Sequence, residues 1–408
     1  MRFELFLAKR FLKAKPKETY LSVITVISIL GILVGVMALT VVISVMNGFT
    51  EELTRKLLGI NPHVLVFSYG SMIKDPGRVE SEIGQIKGVE ASCPFVYSQV
   101  MVSFEGISSG ALIYGIDPEK VQRVLDLKAM IKKGSLEELL NRDGGYPKAV
   151  MGVEMAYKLG VKVGDLIQVI SPEGKRTPLG RSPNIWQFQV AGLFESGMYE
   201  YDLSLLYVYI GDAQEFLGVQ DLVSGIQIRT EDFSKADQVA RSIDAKLGRD
   251  YWTKDWKMMN KNLFAALKLE KVTMFVILTM IVLVGSLNII SGLVMTVMEK
   301  KKAIAVLRTM GFSRKKIARV FVLQGLIQGI LGVIGGLSLG LAICVLLEHY
   351  QFISLPKDVY PLSRLPVNVQ FWDMISIAGS ALILSVLAAL YPAIKASRQD
   401  PLDIIRYE

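Results

Sequence analysis

The chain has 408 residues, 51% of them hydrophobic and 21% charged, with a mean hydropathy of +0.40. That is too apolar for an ordinary soluble protein and too mixed for one wholly inside a membrane. The net charge of +8 does not point to nucleic acid: residues 1–20 carry +4 and residues 298–319 carry +7, leaving −3 elsewhere, so the positive excess lies beside apolar runs.

Residues 2–13 alternate apolar and basic side chains at helical spacing, which predicts an interfacial helix on the inner leaflet within a cytoplasmic segment 1–18. Pro16 breaks it. From Thr19 to Thr50 there are 32 residues without a charge, more than the roughly 20 that cross a bilayer, and this is the expected first span, 19–50. A signal peptide is the competing reading, but the apolar core is too long and no small-residue cleavage site follows. Gly31 and Gly35 form a GxxxG pair that permits close helix packing.

Residues 51–270 read as a large extracytoplasmic α+β domain, because predicted helices and strands are interspersed and several strands are adjacent. Strands are expected at 63–68, 94–104, 111–116, 165–170, 186–194, 205–210 and 225–229. About 220 residues can bury a core, here divided into two subdomains: a first unit joining 51–115 with 205–265, and an insert between. Within it, residues 171–184 form a loop that Pro172, Pro178 and Pro183 stiffen and Lys175, Arg176 and Arg181 make basic. Two readings stand, a hairpin tip or a protruding arm that engages another protein.

Three further charge-free runs follow, Val272–Met298, Val320–Leu347 and Met374–Ile394, predicting spans at 271–298, 320–347 and 374–394. The third span carries Gly325, Gly329, Gly332, Gly335, Gly336 and Gly340, a small-residue face for tight helix contact. Between the second and third spans lies the stretch 299–319, with eight basic residues counted from Met298 and Glu299 as its one acid. Ala303, Ile304, Val306, Leu307 and Met310 recur at helical spacing, Gly311 would end that helix and Ser313 can cap the next. Such a helix can dock on a cytoplasmic partner or lie on anionic lipid. The positive-inside pattern places both termini, including the tail 395–408, and this stretch in the cytoplasm, and the 51–270 domain and the 348–373 loop outside.

Few residues suggest chemistry. Gly106–Gly110 matches G-x-S-x-G, but a second strand follows where a nucleophile elbow needs a helix, so a hairpin turn is the better explanation. His63 and His349 stand in no metal-binding pattern, and Cys93 and Cys344 have no spacing that suggests a disulfide or metal site. The chain has no GxxxxGK[ST], hence no P-loop, and no charge interrupts the four spans, which argues against an ion or proton pathway. A membrane-anchored enzyme would need a convergent polar site that is not legible.

Met46-Asn47-Gly48-Phe49, continuing through Leu58, Gly59, Pro62 and His63, together with the 299–319 stretch, Val150–Ser171 and the Tyr391–Glu408 tail, resembles LolC/LolE-type permeases over essentially the whole chain. The resemblance implies a permease subunit of the lipoprotein-releasing ABC transporter in the bacterial inner membrane, with no catalytic, cofactor or metal residues of its own. ATP and Mg would be bound by a LolD-like cytoplasmic ATPase that docks on a coupling segment comprising Glu299, Ala303, Ile304, Val306, Leu307, Met310 and Gly311. A second LolC/LolE-like permease would pair with it. A LolA-like periplasmic carrier would be recruited by a hook formed by Thr177, Pro178, Leu179, Gly180, Arg181 and Pro183. Lipoprotein acyl chains would meet membrane lipid and an apolar cavity lined by Val42, Met46 and Phe49. The alternatives are a MacB-like efflux or mechanotransmission permease and an FtsX-like transmembrane activator of a periplasmic partner. The hook weighs against the second, and the missing ATPase domain against the first.

Overall fold

In the computed structural model the residues described are 2–12, 19–70, 72–141, 145–172, 176–177, 180–181, 183–350 and 365–399. Two compact units emerge. One gathers the chain up to Glu51 with the helices from Ala265 onward, and the other spans Glu52–Phe264.

The helical unit is built on four long helices, Thr19–Ile60, Lys261–Glu299, Arg314–Tyr350 and Phe371–Ser397. All four are long and apolar enough to cross a membrane. Each outlasts the charge-free run that announces it. The first continues beyond the expected residue 50 to Ile60, and the second begins at Lys261 instead of 271. The third begins at Arg314 instead of 320, and the fourth at Phe371 instead of 374. Lys, Arg and Glu are good helix formers, so charge marks where lipid must end and not where the helix does. Pro62, which lacks the N–H that a helix would use, follows two residues after the first helix stops.

One apolar core joins the four: Ile32, Val36 and Ile43 of the first, Val282 and Ile289 of the second, Phe321 of the third, and Ala381 and Ala389 of the fourth. Small residues let the backbones approach. A Cβ placed on Gly285 would lie 2.8 Å from the carbonyl carbon of Gly31, and one on Gly35 would lie 2.8 Å from Val282. The third helix uses its glycine face twice. Gly332, Gly336 and Gly340 meet Ile32, Val36 and Thr40 of the first helix, while Gly325 and Gly329 meet Ala389 and Ser385 of the fourth. In lipid, where apolar side chains gain nothing by leaving solvent, such close packing is what holds helices together.

The second unit carries β1 (Val64–Ser68), β2 (Val89–Phe104), β3 (Ile107–Ile116), β4 (Ile131–Gly134), β5 (Lys148–Gly152), β6 (Leu166–Ser171), β7 (Arg176–Thr177), β8 (Gly180–Arg181), β9 (Asn184–Phe194), β10 (Leu205–Tyr209), β11 (Gly225–Thr230) and β12 (Tyr251–Asp255). Four strands in the order β12-β1-β11-β2 pair antiparallel. Helices Pro76–Gly84 and Ala236–Leu247 follow β1 and β11, a split βαβ layer. Val64, Val66, Ile226 and Ile228 pack with Val79, Ile83 and Ile243 in its core.

The remaining pairings close a ring: β2 on β3, β3 on β10, β10 on β5, β5 on β9, β9 on β6, and β6 back on β2. Alternate residues such as Val102, Ile113, Met151, Val169, Phe188 and Leu206 are buried together, as strand geometry requires. The sixteen-residue β2 belongs to both parts, its first half pairing β11 and its second half β3 and β6. The expected division at 51–115 and 205–265 therefore needs correction. The second half of β2, β3 and β10 sit in the ring with the insert. Alternation reveals a strand but not the strand it pairs with. Strands β4, β5, β7, β8 and β12 lie outside the expected set as well. All five residues of β5 are buried, so it shows no alternation.

Candidate functional site

Between the second and third long helices, Lys301–Thr309 forms a separate short helix. Gly311, at φ +91°, ends it in the left-handed region. The Gly311 N–H donates to the Arg308 carbonyl and the Phe312 N–H to the Leu307 carbonyl, both at 3.0 Å. These are the paired bonds of a Schellman motif, and Leu307 and Phe312 join one apolar cluster beside them. Ser313 then caps the third long helix through its carbonyl, which accepts from Lys316 and Ile317.

The apolar stripe of this short helix is split between two faces. Ile304 and Ala305 are buried in the bundle core, and Leu307 packs half-buried beside Leu7, Ala8 and Val320. Ala303, Val306 and Met310 face outward, Val306 at 53% and Met310 at 78% exposure. Of the expected docking residues, Ile304 and Leu307 thus belong to the fold and not to a docking face. Ile304 packs in the four-helix core and Leu307 against the N-terminal helix Arg2–Leu12, whose Phe3 ring lies 5.5 Å from that of Phe312 and whose Phe11 ring lies 6.3 Å from that of Phe321. Arg308 Nη1 donates to the Gln399 carbonyl at 2.7 Å, fastening the short helix to the chain beyond the fourth long helix. Glu299 is exposed at the end of the second long helix.

The expected hook grows from the β6–β9 ladder, whose last pair is Ser171 with Asn184. Beyond it a second ribbon pairs Arg176 with Arg181 and Thr177 with Gly180. Pro178 and Leu179 lie outside the described residues. Pro172 and Pro183, both exposed, flank the break between the two ladders, where a missing N–H interrupts pairing. At the root lies an open groove of about 560 Å³ lined by Gln99, Val100, Met101, Ile170, Pro172 and Pro183. Met101 and Ile185 expose apolar surface at 42% and 55%.

The MNGF stretch has two flanks. Val42, Met46 and Phe49, at helical spacing on the first long helix, are half-exposed. Asn47 and Gly48 turn inward and are buried. Asn47 Nδ2 donates to Asp373 Oδ2 at 2.6 Å, Lys271 Nζ donates to Asn47 Oδ1 at 2.8 Å, and Lys271 pairs with Asp373 at 3.0 Å. A Cβ on Gly48 would lie 2.5 Å from the Pro366 carbonyl oxygen, so only glycine admits the chain at Pro366 so close. The Asn368 N–H donates to the Ser44 carbonyl, and Asn368 Nδ2 donates to Glu51. Sequence reading missed this cluster. Its one signal is that Lys271 and Asp373 each stand immediately before a charge-free run.

The other candidates resolve structurally. Glu105 and Gly106, at φ +47° and +86°, form a two-residue turn between β2 and β3, so the G-x-S-x-G stretch is a hairpin strand; buried Ser109 accepts from Lys158 at 3.1 Å. His63 Nδ1 accepts the Thr230 N–H at 3.0 Å, and burial, followed by the nearby Arg229 charge, holds the ring's pKa below its ordinary value. Among the described residues no cluster of His, Cys, Asp and Glu could hold a metal ion.

Known proteins give the class first. The FtsX-like permease C-terminal family matches residues 275–401, and the MacB-like periplasmic core domain family matches residues 25–246. With four apolar helices, the chain is a multi-pass inner-membrane permease subunit of an ABC transporter. It is 34% identical to the lipoprotein-releasing system transmembrane protein LolC of Neisseria meningitidis serogroup B, over 99% of both chains. It is 35% identical to LolC of Xylella fastidiosa strain 9a5c, over 98% of this chain and 97% of the relative. Identity to LolE of Haemophilus influenzae is 26%, over 99% of both. The chain belongs to the LolC/LolE family.

Proposed function

We propose that the chain is the permease subunit through which a cytoplasmic ATPase drives the release of lipoproteins from the outer leaflet of the inner membrane to a periplasmic carrier. The observation that carries this reading is the short helix Lys301–Thr309, locked into the bundle by Ile304, Ala305 and Leu307 while Val306 and Met310 face outward. An apolar edge on a firmly packed helix, in a segment that also exposes Lys301, Lys302 and Arg314, suits a cytoplasmic protein that pushes on it. The positive charge of this segment puts it and both termini inside, and residues 52–264 outside, as a domain between the first and second spans. ATP and Mg would be held by a LolD-like partner, since the chain has no P-loop. A LolA-like carrier would dock at the arm around 176–183. Acyl chains need an apolar lining and no catalytic group, which the half-exposed Val42, Met46 and Phe49 provide on a flank open to a second permease, identical or paralogous.

The test is purification of the complex from membranes with every associated chain identified, alongside the variants Met310→Glu and Val306→Asp. Both should insert and fold normally yet lose the ATPase. If Met310→Glu retains a full complement of ATPase, the short helix is a surface helix on lipid and the reading fails.

A further inference from the structure

Packing along the second long helix is uneven. Val282, Gly285, Ile289, Gly292, Leu293 and Thr296 form a buried seam. From Lys271 to Ile281 no side chain is fully buried, and Val272, Val276, Ile277, Met280 and Ile281 are all exposed. Phe275 and Leu278 pack only partly buried against the bundle core, and beyond them the segment is fixed at its two ends by attachments of different strength. One is the close packing of Val282 and Gly285 on Gly35 and Gly31, with Gly285 roughly 20 Å along the helix from Lys271. The other is the polar cluster of Lys271 with Asn47 and Asp373 at its far end. The Lys271 and Asp373 side chains are 38% and 21% exposed, a part-solvated setting in which an ion pair holds weakly.

We propose that Lys271, Asn47 and Asp373 form a releasable latch on the outer third of the second span. Closed, it holds that segment to the first and fourth spans and fixes Asn47, so that Met46 and Phe49 on the same turn of helix keep their outward orientation. Open, the segment swings about the Gly31–Gly285 contact and gives acyl chains a lateral path to the Val42–Met46–Phe49 stripe. The identity of what enters rests on the lipoprotein reading. The latch does not.

The test uses the full permease–ATPase complex in proteoliposomes, with spin labels on Val276→Cys in the second span and Ile375→Cys in the fourth. The native Cys93 and Cys344 are buried. Asp373→Ala should raise the long-distance population about fivefold, the change expected for losing one part-exposed pair. The exchanged pair Lys271→Glu with Asp373→Lys should restore the short distance, because the Asn47 amide can turn over to serve either charge. This second variant keeps the test decisive if Asp373→Ala folds poorly. Separately, joining Lys271→Cys to Asp373→Cys with a short, reducible thiol cross-linker ties the second span to the fourth and should stop lipoprotein release while ATP hydrolysis continues, with recovery on reduction. An unchanged distance distribution in Asp373→Ala, or full release by the cross-linked complex, overturns the latch. If the distances respond but even the uncross-linked complex releases no lipoprotein, the latch stands and the functional reading falls.

Discussion

His63 sits three residues beyond the first long helix, and its ring serves the backbone: Nδ1 accepts from Thr230 while the His63 carbonyl accepts from Trp256. Asn61 beside it donates to the Tyr201 hydroxyl at 3.0 Å, so the Asn-Pro-His run is an anchor into the sheet. The neutral imidazole is the folded form, since burial and Arg229 hold its pKa down. The unfolded chain therefore binds a proton more readily. Its stabilising contribution is complete above the unfolded value near 6.5 and is lost as pH falls from there through the lower folded value. The tryptophan-fluorescence melting temperature of the purified chain should drop between pH 7 and pH 5, and His63→Asn should flatten that slope. An equal slope in the variant would assign the drop to other groups. Cys93, pushed up to about 12 by burial, should stay unmodified by alkylating reagents at neutral pH until the domain unfolds, as read by mass spectrometry.

At the scale of elements, the short helix Lys301–Thr309 depends on its end. Gly311→Ala forces a Cβ into the left-handed region at a cost of about 1–2 kcal/mol. It should loosen the Leu307–Phe312 cluster, seen as a lower melting temperature and faster proteolysis near 311. Gly336→Leu acts on the bundle. A Cβ there would lie 2.7 Å from the Leu33 carbonyl oxygen, and overpacking of this kind costs about 1–3 kcal/mol. The folded yield from membranes should fall, whereas the same change at Gly379, where a Cβ meets open space, should not lower it. The sequence makes such elements legible unevenly. The four spans, the short helix, its glycine stop and the Gly31–Gly35 contact can all be read from local spacing. Which side of the short helix faces out cannot, because periodicity marks an apolar stripe without saying that the long helices bury Ile304 and that Arg2–Leu12 packs on Leu307. The Asn47 cluster is illegible for a related reason. Its partners lie 224 and 326 positions away, and a lone Asn in an apolar run carries no local signal of either.

At the scale of the whole molecule, the arm around residues 176–183 can be removed without touching what folds the domain. The β6–β9 ladder is complete from Leu166–Gln189 to Ser171–Asn184, and Val169, Phe188 and their neighbours fill the ring it closes. Among the described residues the ribbon of Arg176–Thr177 with Gly180–Arg181 pairs with itself alone. Deleting 175–183 should therefore leave the melting temperature of the complex and its basal ATP hydrolysis unchanged. Carrier binding should be lost, because the arm supplies prolines that limit its unbound conformations and arginines that suit backbone carbonyls or carboxylates of a partner. Arg181→Ala alone should weaken binding by about tenfold or more if Arg181 is a hot spot, and raising the salt concentration should slow association in the intact chain more than in this variant. Met101 and Ile185 are exposed at the root, and if the carrier docks on the arm they would meet it as an apolar contact, so Met101→Glu should also weaken binding while leaving its salt dependence intact. Carrier affinity for the detergent-solubilised complex, measured by surface plasmon resonance at two salt concentrations, separates these contributions. If the deleted chain binds the carrier as tightly as the full one, the arm is a hairpin tip and the carrier docks elsewhere on the domain.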